Sequence, residues 1–175
     1  IVDTLIKENV PAAFFLLDNI IIKNTDLVNK MAENNCLICN HTLKHRDMTK
    51  VSDKNEFAKE LASLEEVYKK STGKNMAKYY RPPEGKFNEQ SLKFASELGY
   101  KTIFWSFAYA DWDNNKQPDR NFAKKILNDN LHNGAVILLH PTSGTNADIL
   151  DELITEWKAE GYRFGSLREL AEKCG

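Results

Sequence analysis

Short apolar runs alternate with amphipathic stretches along the whole chain, and that alternation constrains the fold more than any other feature. The runs "PAAFFLL" (11–17), "CLIC" (36–39), "KTIFWSF" (101–107) and "GAVILLH" (134–140) are strand-length. So is the "KYY" that precedes Arg81-Pro82-Pro83. Between them lie helical patterns. "IVDTLIKEN" puts Ile1, Val2, Leu5 and Ile6 on one face, and "NTDLVNKMAEN", capped by Asn24 or Thr25, aligns Leu27, Val28 and Met31. "DKNEFAKELASLEEVYKKSTG" keeps Phe57, Leu61, Leu64 and Tyr68 in register and stops at Gly73. "NEQSLKFASELG" runs from Asn88 to Gly99, and "NFAKKILNDN", "NADILDELITEWKAEG" and "SLRELAEK" complete the set. Strands separated by helices connect by right-handed crossovers into a mainly parallel, helix-covered α/β sheet. A curved sheet or barrel is expected rather than an open sheet.

The 175 residues, 42% of them hydrophobic, suit one cored domain over 1–175. The 24 basic and 25 acidic side chains are spread along the chain. Without a basic stripe, neither nucleic acid nor a polybasic membrane tether is expected. No apolar run reaches the roughly 20 residues of a membrane span. The first residue is Ile, so the chain is expected to begin inside a longer protein. Three cysteines make no disulfide framework. Cys36 and Cys39 with the following histidines spell C-x2-C-x-H-x3-H, which reads either as a zinc knot or as two buried thiols. On a strand, residues three apart face opposite ways, so the buried reading is the expectation.

Parallel α/β folds build sites at the carboxyl ends of their strands. Asn40 and His41 follow "CLIC", Arg81-Pro82-Pro83 follows Tyr80, Asp111-Trp112 follows "FWSFAYA", and His140 ends "VILLH". Taken singly, each has a plain structural reading as well. His41 and His45 are a metal-ligand pair or a solvated helix start; Arg81 is a functional cation or an ion-pair partner. Asp111 is a site carboxylate or a loop cap, and His140 a functional imidazole or a satisfied core histidine. Trp105 and Trp157 suit core packing, and His132, in the turn "NLHNG", is given no role. The convergence of imidazoles, carboxylate and cation argues for chemistry.

"NHTLKH", "RPPEGKF", "FWSFAYADW" and "ILLHP" together resemble, in order and spacing, motifs of the polysaccharide deacetylase (NodB-homology) family, carbohydrate esterase family four. The resemblance runs from Ile1 to "GYRFGSLREL". "RPPEGKFNEQSL", "GYKTIFWSFAYADW" and "LLHPTSGTNADIL" look like the delta-lactam-forming muramic acid de-N-acetylases of spore cortex peptidoglycan.

The resemblance implies a distorted (β/α) barrel and hydrolysis of an N-acetyl amide on peptidoglycan N-acetylmuramic acid. The alternatives are the same chemistry on N-acetylglucosamine or chitin oligomers, and a non-catalytic glycan-binding relative. It implies a divalent metal, zinc first, with His41 and His45 as imidazole ligands. His140 would protonate the departing amine, Arg81 would orient the base carboxylate, and Trp112 would wall the acetyl pocket beside Asp111. Pro83 and Glu84 would line the substrate, a backbone N–H near Glu84 meeting the oxyanion. A peptidoglycan substrate implies an extracytoplasmic protein of a spore former. Three departures stand out. The family's first motif, an Asp-containing strand that supplies the base, is expected upstream of Ile1. Ala108 stands where many relatives carry a second carboxylate, and Glu84 where the usual residue is Tyr.

Overall fold

The computed structural model describes residues 1–173, which fall into two compact units. The larger comprises Pro11–Phe104 and the segment from Ser166 on. It is built on a four-stranded parallel sheet in sequential order: β1 (Ala12–Leu16), β2 (Cys36–Asn40), β3 (Ala77–Tyr80) and β4 (Lys101–Thr102). β1 and β2 pair in unbroken register from Ala12↔Cys36 to Leu16↔Asn40. A bulge between Cys39 and Asn40 then brings Asn40 level with Tyr80, and Tyr80 pairs with Thr102. Bulges re-aim the residues that follow them, and here the next residue is His41.

Helices α2 (Asp18–Lys23) and α3 (Thr25–Glu33) connect β1 to β2. The helical pattern at 24–34 predicts α3; α2 is an addition, filling the stretch between the strand expected to end at Leu17 and the helix expected from Asn24. α4 (Lys54–Thr72) connects β2 to β3, starting at an Asp53 cap that accepts from Glu56 N at 2.8 Å and ending at Gly73 with φ 73°. Its Phe57, Leu61, Leu64 and Tyr68 are buried, each worth roughly 1.5–3 kcal/mol against exposure. Phe57 and Leu61 pack with Met48, Val51, Tyr80, Ala95 and Tyr100. α5 (Glu89–Glu97) begins with a reciprocal Asn88–Ser91 capping box. Cys36 and Cys39 lie buried on β2 as free thiols, and burial pushes the Cys39 thiol up to about 12.

The second unit comprises Ile1–Val10 and Trp105–Gly165. It contains α1 (Val2–Lys7), the parallel pair β5 (Phe107–Ala108) and β6 (Ile137–Leu138), α6 (Arg120–Asp129) and α7 (Gly144–Ala159). Its core gathers Tyr109, Ala123, Leu127, Ile149, Leu153 and Trp157. Trp157 donates from Nε1 to Asn128 Oδ1 at 2.7 Å, while Lys158 reaches the Glu8 carboxylate at 2.9 Å and ties α7 to α1. α8 (Leu167–Lys173) returns to the larger unit, where Lys101 Nζ donates to Ala171 O.

One predicted strand is divided. "KTIFWSF" supplies both β4 and β5, with four residues between them. Ile103 N still donates to Tyr80 O at 2.7 Å, but Ser106 N donates to Val136 O at 2.8 Å and Ser106 Oγ accepts from Val136 N. The chain changes hydrogen-bond partner between these residues, which a continuous apolar pattern does not reveal. No helix among the described residues is long and apolar enough to cross a membrane.

Candidate functional site

The expected site residues form one cluster in each unit. In the larger unit the imidazole pair occupies the loop after β2. His41 is buried and His45 exposed, and neither lies in a helix, so the helix-start reading falls. Their ring centroids stand 5.0 Å apart at 79°. His41 Nδ1 lies 2.7 Å from Arg81 O, and because a carbonyl only accepts, that nitrogen carries the proton. The lone pair is therefore on Nε2, the arrangement in which a metal-ligating histidine is fixed by a backbone partner.

The two rings are suitably spaced for a common ion. A metal–nitrogen distance of about 2.0–2.1 Å puts each ring centre roughly 3.2 Å from the metal, so a tetrahedral angle separates the centres by about 5 Å. Two imidazoles make an incomplete set, and among the described residues no group of three or more His, Cys, Asp or Glu is placed to hold a metal. The pair fits as part of a metal's donor set.

Arg81 follows β3, its N–H donating to Asn40 O at 3.0 Å. Its guanidinium lies over the Phe15 ring at 4.7 Å. Burial lowers its pKa to about 10, which leaves it charged at neutral pH. The structural reading of Arg81 as an ion-pair partner finds no carboxylate among the described residues. Pro83 is buried and Glu84 exposed in the tight turn Pro83–Gly85, where Glu84 has φ 56° and pairs with Lys86 at 2.7 Å. That ion pair holds the Glu84 carboxyl below its ordinary range. The neighbouring N–H groups of Gly85 and Lys86 donate to Pro82 O and Pro83 O.

In the second unit Asp111 is wholly buried and spends both oxygens. Oδ1 accepts from His140 Nδ1 at 2.6 Å; Oδ2 accepts from His140 N at 2.7 Å and Asn146 Nδ2 at 2.6 Å. Burial pushes the Asp111 carboxyl upward, but the donors from His140 and Asn146 outweigh it, and the net shift is downward. Asp111 is thus an anion at neutral pH. It holds the Nδ1–H of His140 and leaves Nε2 as the ring nitrogen outside the dyad, and with a side chain 36% exposed His140 is no core histidine. Trp112 is 62% exposed and meets the His140 ring edge-on at 6.1 Å.

Sequence reasoning missed the frame behind this dyad. Asn146 Oδ1 accepts from the Tyr109 hydroxyl, and Asn146 N donates to Ser143 Oγ at 3.1 Å. Ser143 Oγ donates to Gln117 Oε1 at 2.5 Å, and Gln117 Nε2 donates back to Asp111 O at 3.2 Å. The hydrogen bonds close a ring. A signal was present: Asn146 sits three and seven residues before Ile149 and Leu153, on the apolar face of α7. A polar residue in that row needs a partner inside the protein.

Comparison with known proteins separates fold from activity. Residues 1–103 match the polysaccharide deacetylase family. Peptidoglycan-N-acetylmuramic acid deacetylase PdaA of Bacillus subtilis is 38% identical over 97% of this chain, which spans 64% of that protein's length. The solved structure of PdaA, a family 4 carbohydrate esterase, superposes with a TM-score of 0.93 at 36% identity, covering 99% of this chain and 74% of the other. A peptidoglycan-N-acetylglucosamine deacetylase of Bacillus cereus is 34% identical over 95% of the chain and 60% of its own length. A solved pseudoenzyme of the same esterase family from Bacillus anthracis reaches a TM-score of 0.84 at 27% identity, covering 97% of this chain and 58% of the other. The expected α/β architecture is the one these proteins share, and the chain belongs to the polysaccharide deacetylase family.

Proposed function

We propose that this chain is part of a metal-dependent hydrolase that removes the N-acetyl group from peptidoglycan, with N-acetylmuramic acid as the sugar attacked. The observation that carries the reading is the imidazole pair after β2, its His41 tautomer set by the Arg81 carbonyl. Greater identity to the muramic acid deacetylase than to the glucosamine deacetylase supports the choice of sugar.

His41 and His45 would hold a divalent ion, zinc first, which supplies Lewis acidity to the acetyl carbonyl and to water. In the family mechanism a carboxylate of the first motif would take the water's proton, and the Arg81 cation would orient it. His140 handles the other proton. An amide nitrogen leaves only once protonated, and the Asp111 anion stabilises the imidazolium whose Nε2–H delivers that proton. Trp112 walls the acetyl group, and Pro83 with the Glu84 turn borders the sugar. A peptidoglycan substrate places the working protein outside the cytoplasmic membrane.

The test is acetate release from cortex muropeptides by the full-length protein, with and without a chelator. Release that depends on metal and falls about 10²–10⁴-fold in His140→Ala is the expected result. A side-by-side assay on N-acetylglucosamine oligomers decides the sugar, which the 34% identical glucosamine deacetylase keeps open as a second reading. Binding of the glycan without acetate release, unaffected by His140→Ala, would sink the hydrolase reading in favour of a non-catalytic relative.

A further inference from the structure

The loop that carries the two histidines adopts a conformation its own residues disfavour. Thr42 has φ 68° and His45 φ 59°, both left-handed and neither a glycine. Such backbone persists only where surrounding groups over-determine it. Here α4 supplies most of the restraint. Glu60 Oε1 accepts from two successive N–H groups, Leu43 at 3.1 Å and Lys44 at 3.3 Å. One turn earlier, Glu56 accepts from Arg46 Nη1 at 2.6 Å. Leu61 O receives Asn40 Nδ2 at 2.9 Å, and Asn40 Oδ1 accepts from Thr42 N at 2.9 Å. From the other side Lys44 pairs with Asp18, whose N–H donates to Leu43 O at 3.4 Å.

Two of these restraints grip main-chain N–H groups lying between the two imidazoles: Asn40 holds that of Thr42 from the end of β2, and Glu60 reaches across from α4 to hold the next two, Leu43 and Lys44. One carboxylate oxygen on two consecutive N–H groups fixes the rotation of the peptide that joins them, and so the direction in which the chain arrives at His45. The Glu56 ion pair acts beyond His45, through a long and exposed side chain. The Asn40 contact acts at Thr42, the first of the two left-handed residues, and leaves the peptides leading to His45 to other groups. His45 itself is exposed and meets the cluster through its edge-on contact with His41. Its position is therefore inherited from the backbone.

We infer that Glu60 is the positioning residue of the imidazole pair, holding the 41–45 loop in the one conformation in which both rings can share an ion. The inference rests on the metal reading proposed above. Glu60 touches neither ion nor substrate; it acts through the main chain.

The test uses the full-length protein and zinc alone, with affinity measured by competition against a chromophoric chelator. Amide hydrogen exchange at Leu43 and Lys44 is followed in the metal-free protein. Glu60→Ala is expected to weaken zinc binding about 10–100-fold, the usual effect of losing a group that orients a ligand, and to speed exchange at both amides. Glu60→Asp keeps the charge, shortens the reach and should behave like the alanine variant. Glu60→Gln keeps an acceptor oxygen and should stay within about threefold of wild type. Glu56→Ala is expected to do the same. Should the alanine variant fail to fold, the aspartate variant carries the comparison. Unchanged zinc affinity and unchanged exchange in the alanine and aspartate variants would overturn the inference. So would equal losses in the glutamine and alanine variants. If wild type binds no zinc, or His41→Ala and His45→Ala bind it equally well, the metal reading fails. Exchange at Leu43 and Lys44 then decides separately whether Glu60 holds the loop.

Discussion

Replacing Asn146 by alanine should be among the most damaging changes of its size in this protein, for reasons that are local. Asn146 is 1% exposed, and its amide serves two buried groups at once. It donates to Asp111 Oδ2 at 2.6 Å and accepts from the Tyr109 hydroxyl. Alanine leaves that hydroxyl without its acceptor, at about 1–3 kcal/mol, and strips the carboxylate of a donor worth roughly 1.5–3 kcal/mol. Water entering the vacated space returns part of this, so a net loss of ~3 kcal/mol is expected. For a protein of this size that lowers Tm by roughly 6–12 °C. The three tryptophans, Trp105, Trp112 and Trp157, all lie in the unit that contains Asn146, so their fluorescence in urea reports its unfolding. Asn146→Asp sharpens the test. It retains an acceptor for Tyr109 but sets a second carboxylate against Asp111, and one of the pair must then titrate above its unfolded value. The folded variant binds the extra proton more tightly, so its stability should rise as pH falls from 7 towards the unfolded carboxyl range of about 4. An alanine variant within about 0.5 kcal/mol of wild type, or an aspartate variant whose stability does not change with pH, would refute the reasoning.

In the wild-type protein the same dyad predicts the opposite slope. The Asp111 carboxyl is lowered in the folded state, so its stabilising contribution is complete above the unfolded value of about 3.9 and drains away as pH falls below it. Acid titration followed by tryptophan fluorescence should show this, and Asp111→Asn should remove that part of the slope. Cys39, wholly buried with its thiol pushed up to about 12, should resist alkylation at pH 8 in the native protein and react once urea unfolds it, as residue-resolved mass spectrometry would show. Leu61→Ala, at a site 1% exposed within the core of the larger unit, should cost about 2–5 kcal/mol by denaturant unfolding; a loss under 1 kcal/mol would contradict the packing described.

Elements whose signal is local were legible in the sequence. α4 announces itself by Phe57, Leu61, Leu64 and Tyr68 and by Gly73, and the structure uses all of them, adding an Asp53 cap. β1 and β2 are apolar runs too short for helices and fall within one or two residues of their predicted bounds. What escaped depends on partners distant in sequence. Nothing in "KTIFWSF" states that Thr102 pairs with Tyr80 while Phe107 pairs with Ile137. Nor does "LLDNIII" reveal that Asp18 is buried against Lys44 and opens a helix.

The same division runs through the candidate site. Imidazoles and carboxylates have few other uses at a strand end, so His41, His45, Asp111 and His140 stand out as candidates in a single sequence. The groups that hold them do not. Glu60 is one of many acidic residues on an amphipathic helix, and Asn146 looks like an ordinary polar residue near a helix start. Only the fold shows that one reaches the backbone between two imidazoles and the other completes a buried ring around a carboxylate. The two restraints also differ in kind. The Asp111 cluster is fixed by buried side-chain bonds that cannot exchange with water without leaving charge unpaired. The histidine loop is held near the surface against its own backbone preference, so it depends on each restraint separately. A loop that must remain open to solvent cannot be buried for rigidity, and an external carboxylate on its main chain is a way to make it rigid where it stands.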